Sequence, residues 1–168
     1  MLARRILPRE ILVGLLLRQK PRSNLDTARS CRGVEPNKLS MTIHLQALLV
    51  AISVGESNQD DAAVERNRRG AIISRGRYQL SAVVWREHSG ANWLYAHEIG
   101  TAGKVALMHV DRIRYALAEA KIPVTPVAIS GCWNMGIAGY VRAHHAHRVP
   151  AAVKKYADKV FKEYKKRL

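Results

Sequence analysis

Glu56 is the residue of this chain best placed to do chemistry. It follows a run of Ile43, Leu45, Ala47, Leu48, Leu49, Ala51, Ile52 and Val54, with no proline or glycine before Gly55. That density of apolar residues predicts a buried helix. A carboxylate closing such a helix sits at the edge of the core, where burial raises its pKa. The negative end of the helix dipole pushes the same way. A glutamate with a raised pKa is what protonation of a glycosidic oxygen requires. On position alone, a solvated glutamate after a helix is the commoner outcome, so the companions of Glu56 have to decide.

Two further segments carry the groups a sugar needs. Gly76-Arg77-Tyr78-Gln79-Leu80 sets a phenol and an amide beside a glycine, and Cys132-Trp133-Asn134-Met135-Gly136 sets an aromatic and an amide before a glycine turn. Sugar hydroxyls and acetamides want donors, acceptors and a flat apolar face. Taken singly, each segment is more simply a junction or a helix end, with Trp133 in the core and Gly136 in a left-handed cap. The histidines offer less. His97-Glu98 begins like a zinc-protease helix, but Thr101 stands where the second histidine is needed. His144, His145 and His147 cluster without a cysteine or acid at useful spacing, and read as basic decoration of a loop before the last helix.

The elements that must position these residues are mostly helices. After the first helix, Ser57 to Gly76 is polar and arginine-rich, as a loop or short irregular strands would be. Tyr78 to Trp85 leads into a second helix ending near Ser89-Gly90, and Gly100 and Gly103 are expected to bracket a turn. Ala106, Val110, Ile113, Leu117 and Ala120 then step by helical spacing along one apolar stripe, which Pro123 stops. Thr125-Pro126 opens a short helix towards Trp133. Pro150 opens the last, with Val153, Tyr156, Val160 and Tyr164 on one face and lysines on the other. The fold class expected is mainly α, with a short irregular or β segment after the first core helix.

The net charge of +15 lies chiefly at the ends. Residues 1–40 hold nine Lys/Arg against three acids and residues 149–168 hold seven against two, while residues 41–148 hold twelve against eight. Such a chain favours polyanions at low salt, whether nucleic acid or a bacterial wall. Cys31 and Cys132 share no metal-ligand or redox spacing. Two units are expected: a poorly structured basic segment over 1–40 and a folded domain over 41–168. The first reads equally well as a degenerate export signal with a linker or as an extension before a start at Met41. Its apolar run, Ile11 to Leu17, is too short to span a bilayer.

In order, Glu56-Ser57, then Gly76-x-x-Gln79, then Trp133-Asn134-x-Gly136, then Tyr156-x-x-x-Val160 resembles the lytic transglycosylase domain of the soluble-lytic type, within the lysozyme-like superfamily. The resemblance spans roughly Leu45 to Tyr164. The chain has Asn58-Gln59-Asp60-Asp61 where the family motif continues into a glycine-rich turn, Tyr78 for a methionine, and Met135 for a small residue. The resemblance implies a lysozyme-like helical domain that cleaves the MurNAc-GlcNAc β-1,4 bond of peptidoglycan. Glu56 is then the single catalytic acid, with Ser57, Tyr78, Gln79, Trp133, Asn134 and Tyr156 around the glycan. It implies no metal and no organic cofactor, and as partner the peptidoglycan strand, not a specific nucleic acid. A monomer facing the cell wall, periplasmic or extracellular, is expected. A hydrolytic lysozyme is the near alternative, with Asp60 or Asp61 as the second carboxylate. A non-catalytic basic binding protein is the distant one, although the lysines of the last helix more simply form a solvated face.

Overall fold

The computed structural model describes residues 38–168, with side chains from 44 onward. The readings of residues 1–37, export signal or linker, lie outside the described residues. Helix α1 (Lys38–Ser57) is followed by an antiparallel hairpin of β1 (Val64–Arg66) and β2 (Ile72–Arg75). Then come α2 (Ala82–His88), a 3-10 turn (Trp93–His97), α3 (Ile99–Glu119), α4 (Pro126–Met135), α5 (Ile137–His145) and α6 (Ala151–Lys165). The domain is mainly α with one short β segment, as the sequence predicts. Among the described residues no helix is long and apolar enough to cross a membrane.

The core forms where the apolar stripes meet. Helix α1 contributes Ala47, Leu48, Leu49, Ala51 and Ile52, and α3 contributes Ala106, Val110, Ile113 and Leu117, all buried. Each large aliphatic side chain so buried stabilises the fold by roughly 1.5–3 kcal/mol. Helix α6 turns Val153, Ala157, Val160 and Tyr164 inward and packs along both α1 and α4. Its lysines stay on the solvent side. The Thr125 hydroxyl accepts from the Ala128 amide at 3.1 Å and starts α4, with Pro126 in the first turn.

Four boundaries differ from the sequence reading. Gly100 and Gly103 lie inside α3, because the helix begins directly after Glu98 and its first turns tolerate glycine at one exposed and one half-buried position. Helix α3 ends before Pro123 is reached: Lys121 takes a left-handed φ of 56° and the Ile122 amide returns to the Leu117 carbonyl. Residues 137–145, to which the sequence reading assigns no helix, form α5, so His144 and His145 end a helix instead of decorating a loop. Helix α2 starts at Ala82, because Tyr78, Gln79 and Leu80 are occupied in closing a turn against β2.

The turn between α1 and the hairpin accounts for the missing glycines. Asn58 and Gln59 themselves adopt left-handed φ values of 55° and 67°, and their amides return to the Val54 and Ser53 carbonyls at 3.2 and 3.1 Å. The reversal that glycine makes cheaply is here made by residues with a Cβ, at a cost of roughly 1–2 kcal/mol each. Gly76 has no such latitude. Its φ is 73°, and a Cβ there would lie 2.2 Å from the Ala96 carbonyl oxygen. The two positions should therefore respond in opposite senses. Gln59→Gly is expected to raise stability by about 0.5–1 kcal/mol, the relieved strain less the added chain entropy. Gly76→Ala is expected to cost more than about 2 kcal/mol. Urea unfolding of the two variants against the parent checks both.

Candidate active site

The end of α1 brings Glu56 against α6, a hundred residues further along the chain. Tyr156 donates its hydroxyl to Glu56 Oε1 at 2.5 Å, at the short end of the range for O–H···O bonds. One turn later on the same helix, the Lys159 ammonium donates to the Gly55 carbonyl at 3.2 Å and so satisfies one of the open carbonyls at the α1 terminus. Close approach of the helices depends on Gly55. A Cβ there would lie 2.9 Å from Val160 Cγ2 and 3.6 Å from the Tyr156 ring.

Burial pushes the Glu56 carboxyl above the ordinary glutamate value of 4.5. The Tyr156 hydrogen bond opposes that shift, the negative charge of Glu65 adds to it, and the Lys159 charge opposes it more weakly. Burial and the adjacent carboxylate raise the Tyr156 phenol as well, so it stays protonated and acts only as a donor. With Oε1 taken by Tyr156, Oε2 is the oxygen left to meet a ligand.

A cleft of about 380 Å³ opens beside this carboxyl, lined by Glu56, Ser57, Ala63, Val64, Glu65 and Gln79. The hairpin is its far wall, tied to α1 by one contact and closed on itself by another. Ser57 donates its hydroxyl to the Arg77 carbonyl at 2.9 Å. Arg77 in turn donates from Nε and Nη2, along one edge of its guanidinium, to the two carboxylate oxygens of Asp61 at 2.5 and 2.7 Å. The Gln79 amide donates to the Gly76 carbonyl through its side chain at 2.8 Å and through its backbone at 2.9 Å. Its Oε1 lies 2.6 Å from Ser74 Oγ, which also lies 2.8 Å from Glu65 Oε2. The one hydroxyl proton of Ser74 serves one of those acceptors at a time.

The expected site residues divide into groups. Glu56, Ser57 and Gln79 line one cleft, and Tyr156 supports Glu56 from behind. Tyr78 is buried in the core and does not line the cleft. Trp133 and Asn134 line a different and larger groove of about 1040 Å³, with Ser81, Val84 and Ile137. The two depressions flank the step from Gln79 to Ser81. Neither aspartate offered as a second carboxylate lines this cleft. Asp61 is paired with Arg77, which holds its carboxyl below the usual range, and Asp60 Oδ1 accepts from the Ala62 amide at 2.9 Å. The acid that does face Glu56 across the cleft is Glu65, on β1. Its signal lies in the hairpin register, Glu65 opposite Ser74, which an alternation pattern over three residues is too short to reveal. Cys132 is buried and its thiol is pushed up to about 12, which leaves it unreactive.

Comparison of the chain with family models, with curated proteins and with solved structures returns no match. The functional reading therefore rests on the cleft itself.

The pKa of Glu56 carries a stability consequence. Because its folded pKa is raised, the folded state keeps a proton that the unfolded state has already lost, so this group's contribution falls as pH rises from 4.5 through the folded value. Glu56→Gln cannot ionise and can still accept from Tyr156. Its melting temperature is expected to match the parent below pH 4.5 and to exceed it increasingly towards neutrality. Calorimetry across that range would show a constant difference if the carboxyl were unperturbed.

Proposed function

We propose that this chain is a peptidoglycan lytic transglycosylase that cleaves the MurNAc-GlcNAc β-1,4 bond with Glu56 as its single acid and base. The observation that carries the reading is Glu56 itself: a carboxyl raised by burial, oriented by Tyr156 at 2.5 Å, on the wall of an open cleft. In the first step Glu56 Oε2–H protonates the glycosidic oxygen as the C1–O bond breaks. The substrate's own acetamide oxygen supports the positive charge that develops at C1. In the second, the Glu56 carboxylate takes the proton of the C6 hydroxyl while that oxygen bonds to C1. The product is a 1,6-anhydro sugar, no water is consumed, and Glu56 ends protonated. Ser57 and Gln79 act as positioning residues on this reading, since their polar atoms are engaged in holding the hairpin wall. The lysines of α6 add a long-range attraction for wall carboxylates and phosphates that salt would screen. The reading places the protein on the cell-wall side of the membrane.

One observation favours a second reading, hydrolysis. Glu65 lines the same cleft from the opposite wall, where a carboxylate could activate a water on the other face of the sugar.

Mass spectrometry of purified peptidoglycan digested by the parent, Glu56→Gln and Glu65→Gln separates these readings. The transglycosylase gives anhydro-muropeptides with the parent and with Glu65→Gln, and none with Glu56→Gln. Reducing-end products that vanish in Glu65→Gln would establish hydrolysis instead. Digestion by neither the parent nor any variant would leave wall binding as the function. Tyr156→Phe gives an independent check. The lost hydrogen bond favoured the carboxylate, so its removal raises the Glu56 pKa further. The alkaline limb of the activity profile is then expected to move to higher pH, with a lower maximal rate because Glu56 has lost its orienting partner.

A further inference from the structure

The larger groove holds a cluster that the glycan chemistry does not use. Glu87 and His88 end α2, and His109 lies midway along α3. One ligand atom from each of the three comes within 4.8 Å of the others. His88 Nε2 stands 3.4 Å from His109 Nδ1. That is long for a hydrogen bond between imidazoles. It matches the separation of two nitrogens held about 2.0–2.1 Å from one tetrahedral ion, which is about 3.3–3.4 Å. His109 is 8% exposed and its ring is held edge-on by Trp133, with centroids 5.3 Å apart. The position of that ligand is thus set by packing before any ion arrives. Trp85, fully buried and donating its indole N–H to the Ala91 carbonyl at 2.8 Å, fixes α2 in register and with it His88.

From this geometry we infer that Glu87, His88 and His109 form a binding site for a borderline transition-metal ion of the zinc class, stapling α2 to α3 at the wall of the groove. Two imidazoles and one carboxylate select such ions over magnesium or calcium, which want an all-oxygen shell. Glu87 is exposed and can close the remaining gap by a rotamer change. Arg112 pairs with its Oε2, so the ion takes the other oxygen while the guanidinium orients the carboxylate from outside, as outer partners of metal ligands do. Glu87, His109 and Arg112 all line the groove, so the fourth position of the ion opens towards solvent. Three ligands beside a guanidinium make the site weaker than a closed four-ligand structural site. The site does not depend on the glycan reading and stands or falls apart from it.

The test uses the full chain without an affinity tag. Titration calorimetry with zinc chloride should show one saturable site per chain, with magnesium chloride giving none. Cobalt(II) should produce the visible absorption bands of a low-coordinate site. His88→Gln, at a half-buried position that keeps the core, should weaken zinc binding by more than about tenfold and lose the cobalt bands. Its circular dichroism should remain that of the parent. A triple glutamine variant at His144, His145 and His147 should bind as the parent does. Absence of saturable zinc binding, equal affinity in His88→Gln, or loss of binding in the triple variant would each overturn the assignment.

Discussion

The hydroxyl of Tyr156, 2.5 Å from Glu56 Oε1, is the contact around which the domain is arranged. It joins the end of the first described helix to the middle of the last, and it forms only because Gly55 lets α6 approach α1 to the distance of a missing Cβ. Val160, fully buried against that glycine, sets the depth of the approach, and Ala157 and Val153 continue the same packed face. The contact opposes the effect of its own surroundings. Burial favours the neutral acid while the phenol favours the anion, and burial is the larger cause. The outcome is an acid with a raised pKa that still has a donor ready for its conjugate base.

The hairpin depends on the same helix end. Left-handed backbone at Asn58 and Gln59 turns the chain back over α1, and Ser57 ties the turn after β2 to the last residue of the helix. The Arg77–Asp61 pair then closes the loop on itself. Exposed pairs are worth little, but this one is bidentate and partly shielded, with side chains 21% and 33% exposed. Its main effect is geometric. It removes Asp61 from the chemistry and leaves Glu65, one strand position inside the hairpin, as the acid facing Glu56. Backbone strain is concentrated beside the cleft, where a wall has to be held against its own propensity.

Legibility in the sequence follows the range of the interactions involved. The stripes of α1, α3 and α6 could be read because 3.6-residue periodicity is local, and the α4 start could be read because a threonine cap and a first-turn proline are local too. Helix α5 could not. Its nine residues are short of two full heptads, and His144 and His145 at its end look like loop decoration. Glu56 was readable only once the ordered motifs Gly76-x-x-Gln79, Trp133-Asn134 and Tyr156 joined its position after an apolar run, and nothing near Tyr156 in sequence marks it as a partner of Glu56. Glu65, the pairing of Arg77 with Asp61 and the meeting of His88 with His109 are all products of tertiary register. No spacing rule covers residues on two different elements whose distance is set by how those elements pack.

That burial is the largest cause of the Glu56 shift has a consequence for the proposed reaction. Charges nearby act in both directions, Glu65 raising the pKa and Lys159 lowering it, so no single charge sets the state of the acid. Burial is the largest influence, opposed chiefly by the Tyr156 hydrogen bond. A glycan strand seated there would exclude more water and raise the pKa further, so substrate binding itself reinforces the protonated form needed for the first step. Once the proton has gone to the glycosidic oxygen, the same dry cleft holds an unsolvated carboxylate, stabilised chiefly by Tyr156. Such an anion is a stronger base than one in water, which is what removal of a proton from the C6 hydroxyl demands. On the proposed reaction one residue would thus serve both half-reactions without a second titrating group, because burial outweighs the neighbouring charges in holding the proton on Glu56.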